Sequence, residues 1–169
     1  MDPIATILER QGHLVLDGGL ATELEALGCD LTDPLWSAKV LLEHPDKVGE
    51  VCLLYLEAGA DCVGTATYQA TFSGFRARGL SDAEIDRLFR DAVSLVIEVR
   101  DRFWADQANR EGRERPLVVA SVGPYGAFLA DGSEFRGDYG LTAAELYDFH
   151  VPRWEILADT GADMLACET

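Results

Sequence analysis

Positive charge is what this sequence has least of. Its 14 Lys and Arg face 30 Asp and Glu, a formal net of −16 at pH 7. Such a surface repels phosphate backbones and anionic lipid, which argues against nucleic acid and membrane as partners. Long apolar runs are missing too. No stretch approaches the roughly 20 apolar residues that span a bilayer, and Met1 to Arg10 lacks a basic leader followed by an apolar run, so no secretory signal is expected. Cysteine is scattered: Cys29, Cys52, Cys62 and Cys167 form no C-x-x-C pair, and no metal site can be drawn from their spacing. Cys62 and Cys167 fall in strand-like runs and Cys52 on the apolar side of a helix, so they read as reduced core thiols of a cytoplasmic protein.

What is present suits one domain with a core: 169 residues, 48% of them hydrophobic. The chain is organised around Leu14-Val15-Leu16-Asp17-Gly18-Gly19, an apolar run of strand length ending in a carboxylate and two glycines. Glycine lets the backbone turn sharply and lets a ligand approach main-chain N–H groups. Taken alone, the stretch fits a strand followed by an ordinary turn equally well.

Further along, Asp33-Pro34 is a helix start, with Leu35, Trp36, Val40 and Leu41 as its buried side. His44-Pro45 opens a second helix carrying Val48, Val51, Cys52 and Tyr55 on one face and closed by Gly59. Cys62 to Thr67 reads as a second strand. Ser81-x-x-Glu84 is a capping box that begins a long helix with Ile85, Phe89, Val96 and Phe103 at helical spacing. Leu117 to Val122 is a third strand, followed by a long Gly- and Tyr-rich loop to Gly140. Thr142-x-x-Glu145 caps another helix, carrying Leu146, Phe149, Trp154 and Leu157 with a kink expected at Pro152, and Met164 to Cys167 is a fourth strand. An internal echo, Ala60-Asp61 before strand two and Ala162-Asp163 before strand four, marks a repeated βα unit. Alternating strands and helices imply an α/β fold with a parallel sheet. Four βα units are half of an eightfold barrel, which takes roughly 250 residues.

In such a barrel the C-terminal strand ends share one mouth. This sequence sends Asp17, Thr65, Thr67, Ser121 and Glu168 there. Two carboxylates beside exposed glycine N–H groups suit a zwitterion such as an amino acid. The acids would take its ammonium and the backbone donors near Gly18 and Gly19 its carboxylate. The plainer alternative is that each acid merely caps a turn or helix.

Several motifs in order carry a resemblance: Leu16-Asp17-Gly18-Gly19-Leu20-Ala21-Thr22-Glu23, Asp33-Pro34-Leu35-Trp36, Thr65-Ala66-Thr67-Tyr68-Gln69, Ser121-Val122-Gly123-Pro124-Tyr125-Gly126, and Phe149-His150 to Arg153 closing on Cys167-Glu168-Thr169. From about Leu14 to Thr169 the chain resembles the homocysteine S-methyltransferase family, in the branch that uses S-methylmethionine or S-adenosylmethionine rather than betaine.

The resemblance implies a TIM (β/α)8 barrel, with residues 1–169 as its N-terminal half, the first four βα units. It implies methyl transfer from a sulfonium donor to the thiolate of homocysteine, giving methionine. It also implies a zinc ion held by three cysteine thiolates, which lowers the pKa of the substrate thiol. Asp17 and Glu168 match the acids that hold the homocysteine ammonium, and Gly18, with Gly19 beside it, the backbone donor to its carboxylate. Thr67 and Tyr68 match the segment lining the pocket, and the Asp131-Gly132-Ser133-Glu134 loop the donor side. The family's zinc cysteines lie in the second half of its barrel, so zinc ligands are expected beyond Thr169, with no metal ligand and no catalytic residue in this stretch.

Two readings follow. One is the N-terminal portion of a methyltransferase, inactive by itself. The other is a non-catalytic half-barrel that pairs with a copy of itself or another chain, because its open edges favour association, and that at most binds an amino acid. A lyase or aldolase barrel would need a lysine at a strand end, and no strand here supplies one.

Overall fold

A computed structural model describes residues 2–32 and 37–169. Asp33 to Trp36, including the expected Asp33-Pro34 helix start, lie outside the described residues. Three parallel strands form the sheet, β1 (Cys62–Gly64), β2 (Leu117–Val122) and β3 (Met164–Cys167), in the spatial order β1-β2-β3. The Leu14–Asp17 segment joins beyond β1 through one parallel bridge, Leu16 to Cys62. Where the sequence predicts a full first strand, the segment therefore pairs only locally, through Asp17 N to Cys62 O (3.1 Å) and Cys62 N to Val15 O (3.2 Å).

The helices form where their end signals stand. Helix α1 (Pro3–Gln11) is capped by the Asp2 carboxylate and ends at Gly12, whose φ of 77° suits glycine. The short helices α2 (Leu20–Ala26) and α3 (Ser37–Glu43) lead to α4 (Pro45–Ala58), which ends at Gly59 with φ 108°. Thr71 caps α5 (Phe72–Arg76). The Ser81/Glu84 capping box starts α6 (Asp82–Ala105), which buries Ile85, Phe89, Val96 and Phe103. The loop after β2 is not structureless: it holds α7 (Tyr125–Leu129) and a 3-10 turn over Ser133–Phe135. The Thr142/Glu145 box starts α8 (Ala143–Ala158), which runs through Pro152 as one element. Its buried residues are Arg153 and Leu157, whereas Trp154, one of the apolar residues the sequence places on this helix, is exposed.

Strand β2 is buried throughout. Its side chains alternate between two cores. Leu117 and Val119 pack with Cys62 and with Ile7 of α1, while Val118, Ala120 and Val122 pack with residues of α4, α6 and α8. The repeated Ala-Asp pair has a shared mechanical role. Asp61 accepts from Val15 N (2.9 Å) and Asp163 from Val118 N (2.8 Å), so each carboxylate ties the entry of its own strand to that of the neighbour. Arg100, buried on α6, donates to Asp163 at 2.9 Å and to Pro116 O at 3.1 Å, fixing the long helix to the same end.

Candidate functional site

At the other end of the strands the side chains change character. Asp17 follows the bridged segment, and its Oδ2 accepts the Gly64 N–H at 2.6 Å, which lays the carboxylate over the end of β1. Glu168 follows β3, and its N–H donates to Val122 O at 3.2 Å, prolonging the β2–β3 pairing by one step. Both acids line one cavity of about 320 Å³, together with Gly18, Gly19, Gly64, Thr65, Tyr68, Ser121, Glu134 and Phe135. That volume lies at the lower end of the usual range for small-molecule sites. Burial is the main reason the Asp17 carboxyl is held above its ordinary value. The Gly64 N–H counteracts this, and the Glu168 charge pushes it further up. The two acids therefore sense one another across the cavity. No Lys, Arg or His lies among the lining residues.

The glycines have a reason that sequence reasoning did not supply. A Cβ on Gly18 would sit 2.8 Å from the Tyr55 hydroxyl oxygen, and Tyr55 donates to Gly19 O at 3.2 Å. Tyr55 of α4 thus presses the Asp17-Gly18-Gly19 turn into place beside the cavity.

Thr67 does not line the cavity; it is fully buried behind the wall. Its hydroxyl donates to Ser121 O at 2.7 Å, the Thr65 and Thr67 hydroxyls are 2.5 Å apart, and Ser121 N donates to Thr65 Oγ1 at 3.1 Å. These bonds close a ring in which Thr67's only proton is committed, so Thr67 supports Ser121 rather than meeting a ligand. The Ser121 hydroxyl has no partner in the protein although the residue is only 4% exposed.

Tyr68 lines the cavity, and its hydroxyl lies 2.6 Å from Thr169 Oγ1. Its phenol is held above the ordinary tyrosine value, first by burial and then by the Glu134 and Glu168 charges, against the Thr169 bond. Glu134 is placed by its own turn. Asp131 accepts from Ser133 N at 2.9 Å, and the Glu134 backbone packs so closely on Gly126 that a Cβ there would overlap it. Phe135, which the sequence did not single out, stands exposed at the rim.

Among the described residues no group of three His, Cys, Asp or Glu could hold a metal ion. Burial pushes the Cys52 thiol up to about 12 and the Cys62 thiol to about 11, so both are protonated at neutral pH. The described residues of this chain do not fit a zinc site.

Comparison with known proteins identifies relatives along nearly the whole chain. The homocysteine S-methyltransferase family profile matches residues 14–169. The homocysteine S-methyltransferase YbgG of Bacillus subtilis is 54% identical over the whole chain, which covers 54% of that protein. A selenocysteine Se-methyltransferase of Brassica oleracea is 50% identical over 95% of the chain, covering 49% of its own length. The crystal structure of the Escherichia coli homocysteine methyltransferase MmuM, described as a metallated form, superposes with a TM-score of 0.90 at 51% identity, over 98% of this chain and 57% of that one. The chain spans about half the length of the curated relatives it matches. With an α/β fold and a small parallel sheet in common with that structure, and the family profile covering nearly all of it, this chain belongs to the homocysteine S-methyltransferase family.

Proposed function

We propose that this chain is the N-terminal half of a homocysteine S-methyltransferase and supplies the amino-acid end of its substrate pocket. The observation that carries this reading is the pairing of Asp17 and Glu168 on one cavity with no cationic side chain in its lining. Two carboxylates in a partly desolvated site need a cation, and the ammonium of an amino acid offers three N–H donors to them. The substrate carboxylate meets the backbone N–H groups of Gly18, Gly19 and the first turn of α2, which lack intrahelical acceptors. Thr65 and Ser121 line the floor, Thr67 supports them, and Tyr68 with the Glu134 loop forms the side facing a sulfonium donor, S-methylmethionine or S-adenosylmethionine.

In the reaction the substrate thiol releases its proton to solvent, the sulfur takes the methyl group, and the donor's carbon–sulfur bond breaks to leave a neutral thioether. The residues here bind and orient; they exchange no proton with the reacting sulfur. In this reading zinc ligands come from the remainder of the enzyme. The parallel strands in sequential order support a TIM barrel whose first half this chain forms. The edge of β3, unpaired among the described residues, and the exposed Leu16 (64%) favour pairing with that remainder, or, in the non-catalytic reading, with a second copy. The buried, protonated Cys52 and Cys62 suit the cytoplasm, whereas Cys167, expected from the sequence as a core thiol, is exposed.

The test is methionine formation from L-homocysteine and either sulfonium donor by the full-length protein. Activity is expected, with a strong loss in Asp17→Asn and Glu168→Ala, while the 169-residue chain alone forms no methionine. Absence of product with both donors, or full activity in the double variant, would end this reading.

A further inference from the structure

Among the described residues Arg153 is the largest side chain fully shut away from solvent, 1% exposed. Among the described residues its hydrogen-bond partners are not carboxylates. The guanidinium donates to Tyr68 O at 3.3 Å, to Ala70 O at 3.0 Å and to Gly123 O, and Nη2 lies 2.8 Å from His150 Nδ1. The Phe149 ring lies beneath it at 5.6 Å. Burial brings its pKa down to about 10, so it keeps its charge at neutral pH, and burial with the Arg153 charge pushes His150 down to about 4, leaving a neutral imidazole that accepts at Nδ1. A buried cation held by carbonyls, an imidazole and a ring face, with its Nε left without a partner among the described residues, is a poor source of stability, since apolar groups of similar volume often serve as well.

What the cation holds is informative. Tyr68 and Ala70 leave β1, and Gly123 leaves β2, both at the cavity end of the sheet. Gly123 N also donates to Tyr68 O at 3.1 Å, and a Cβ on Gly123 would sit 2.6 Å from that oxygen. The Tyr68 carbonyl is thus gripped from two directions, and the same residue's side chain lines the cavity. We propose that Arg153 is a positioning residue: it locks the Tyr68 backbone against Gly123, and so fixes the Tyr68 ring against the bound ligand. This rests on the proposed function only in taking the cavity as the substrate site. The Phe149-His150 to Arg153 motif thereby gains a role, although no part of it touches the cavity.

The test uses the full-length protein with Arg153→Met, Arg153→Lys, Gly123→Ala and Tyr68→Ala, alone and combined. Amide hydrogen exchange at Gly123 is expected to speed up at least tenfold in Arg153→Met, a readout that needs no activity. Donor kcat/KM is expected to fall at least tenfold in Arg153→Met, less in Arg153→Lys, and comparably in Gly123→Ala, which leaves the guanidinium intact. In the Tyr68→Ala background these changes should add little, because residues acting as one unit are not additive. Unchanged exchange at Gly123, or losses that simply multiply with Tyr68→Ala, would overturn the proposal. If Arg153→Met fails to fold, Arg153→Lys and Gly123→Ala carry the same cycle. An unmodified protein without methyl transfer would count against the proposed function, and the exchange result would still decide on Arg153.

Discussion

The two ends of the sheet differ as sharply as any two regions of this protein. At the end where the strands begin, Ile7 and Ile4 of α1 close over Cys62, Leu117 and Val119. The polar groups there are spent on structure, with Asp61 and Asp163 bonded to Val15 N and Val118 N. At the end where the strands finish, Asp17, Ser121 and Glu168 surround a cavity, and the Ser121 hydroxyl has no protein partner. One end is satisfied and the other is not. The same inward-facing rows supply both, so a step of two residues along β2, from Val119 to Ser121, takes the chain from core to site.

This contrast can be broken most forcefully at the closed end. Ile7→Ala removes a buried side chain where α1 seals the sheet, and is expected to cost about 2–5 kcal/mol of stability, read from denaturant unfolding, while leaving homocysteine affinity unchanged under folding conditions. The open end should answer in the opposite way. In the full-length protein, Glu168→Ala is expected to weaken homocysteine binding by about 1.5–3 kcal/mol, the worth of a charge-assisted hydrogen bond, measured by calorimetry, with little change in unfolding. An unaltered affinity would remove Glu168 from the site.

Acid sharpens the comparison further. Asp17 is held above the ordinary carboxylate value, so the folded state keeps its proton at a pH where the unfolded chain has lost it, and its effect on stability turns unfavourable as pH rises through that window. Its grip on an ammonium goes the other way and is gained as pH rises through the same window. His150 has the reverse sign: pushed down to about 4, it lets the unfolded chain take up the proton first, so stability is lost as pH falls from about 6.5 towards 4. A His150→Phe variant that kept the wild-type slope between those pH values would contradict the assignment. The smallest effect belongs to Ser121→Ala, which removes a hydroxyl with no protein bond and is expected to leave the unfolding midpoint unchanged or slightly raised. A clear drop would mean the hydroxyl has a structural partner.

Much of this was legible in the sequence, and the failures have local causes. Capping boxes at Ser81 and Thr142 and the glycines at Gly12 and Gly59 mark helix ends through chemistry that lies within a few residues. The meeting of Asp17 and Glu168 was readable because parallel strands send their ends one way. Thr67 was sent to the mouth because the second strand was read through to it, whereas β1 ends at Gly64 and the chain turns into its ring of hydroxyl bonds with Ser121. Trp154 was grouped with the helix's apolar residues and is exposed, yet it is the neighbouring Arg153 that points inward, to carbonyls of Tyr68, Ala70 and Gly123 far off in sequence. No periodicity records such partners. The first strand shrank to one bridge because its pairing is confined to Val15, Leu16 and Asp17 against Asp61 and Cys62.

The most direct measurement is a crystal structure of the full-length protein with L-homocysteine bound. The amino nitrogen is expected within hydrogen-bonding distance of both the Asp17 and the Glu168 carboxylates, in the cavity that Ser121 and Tyr68 line. An amino group bound elsewhere, with the two acids facing only solvent, would contradict the assignment of this end of the sheet as the substrate site.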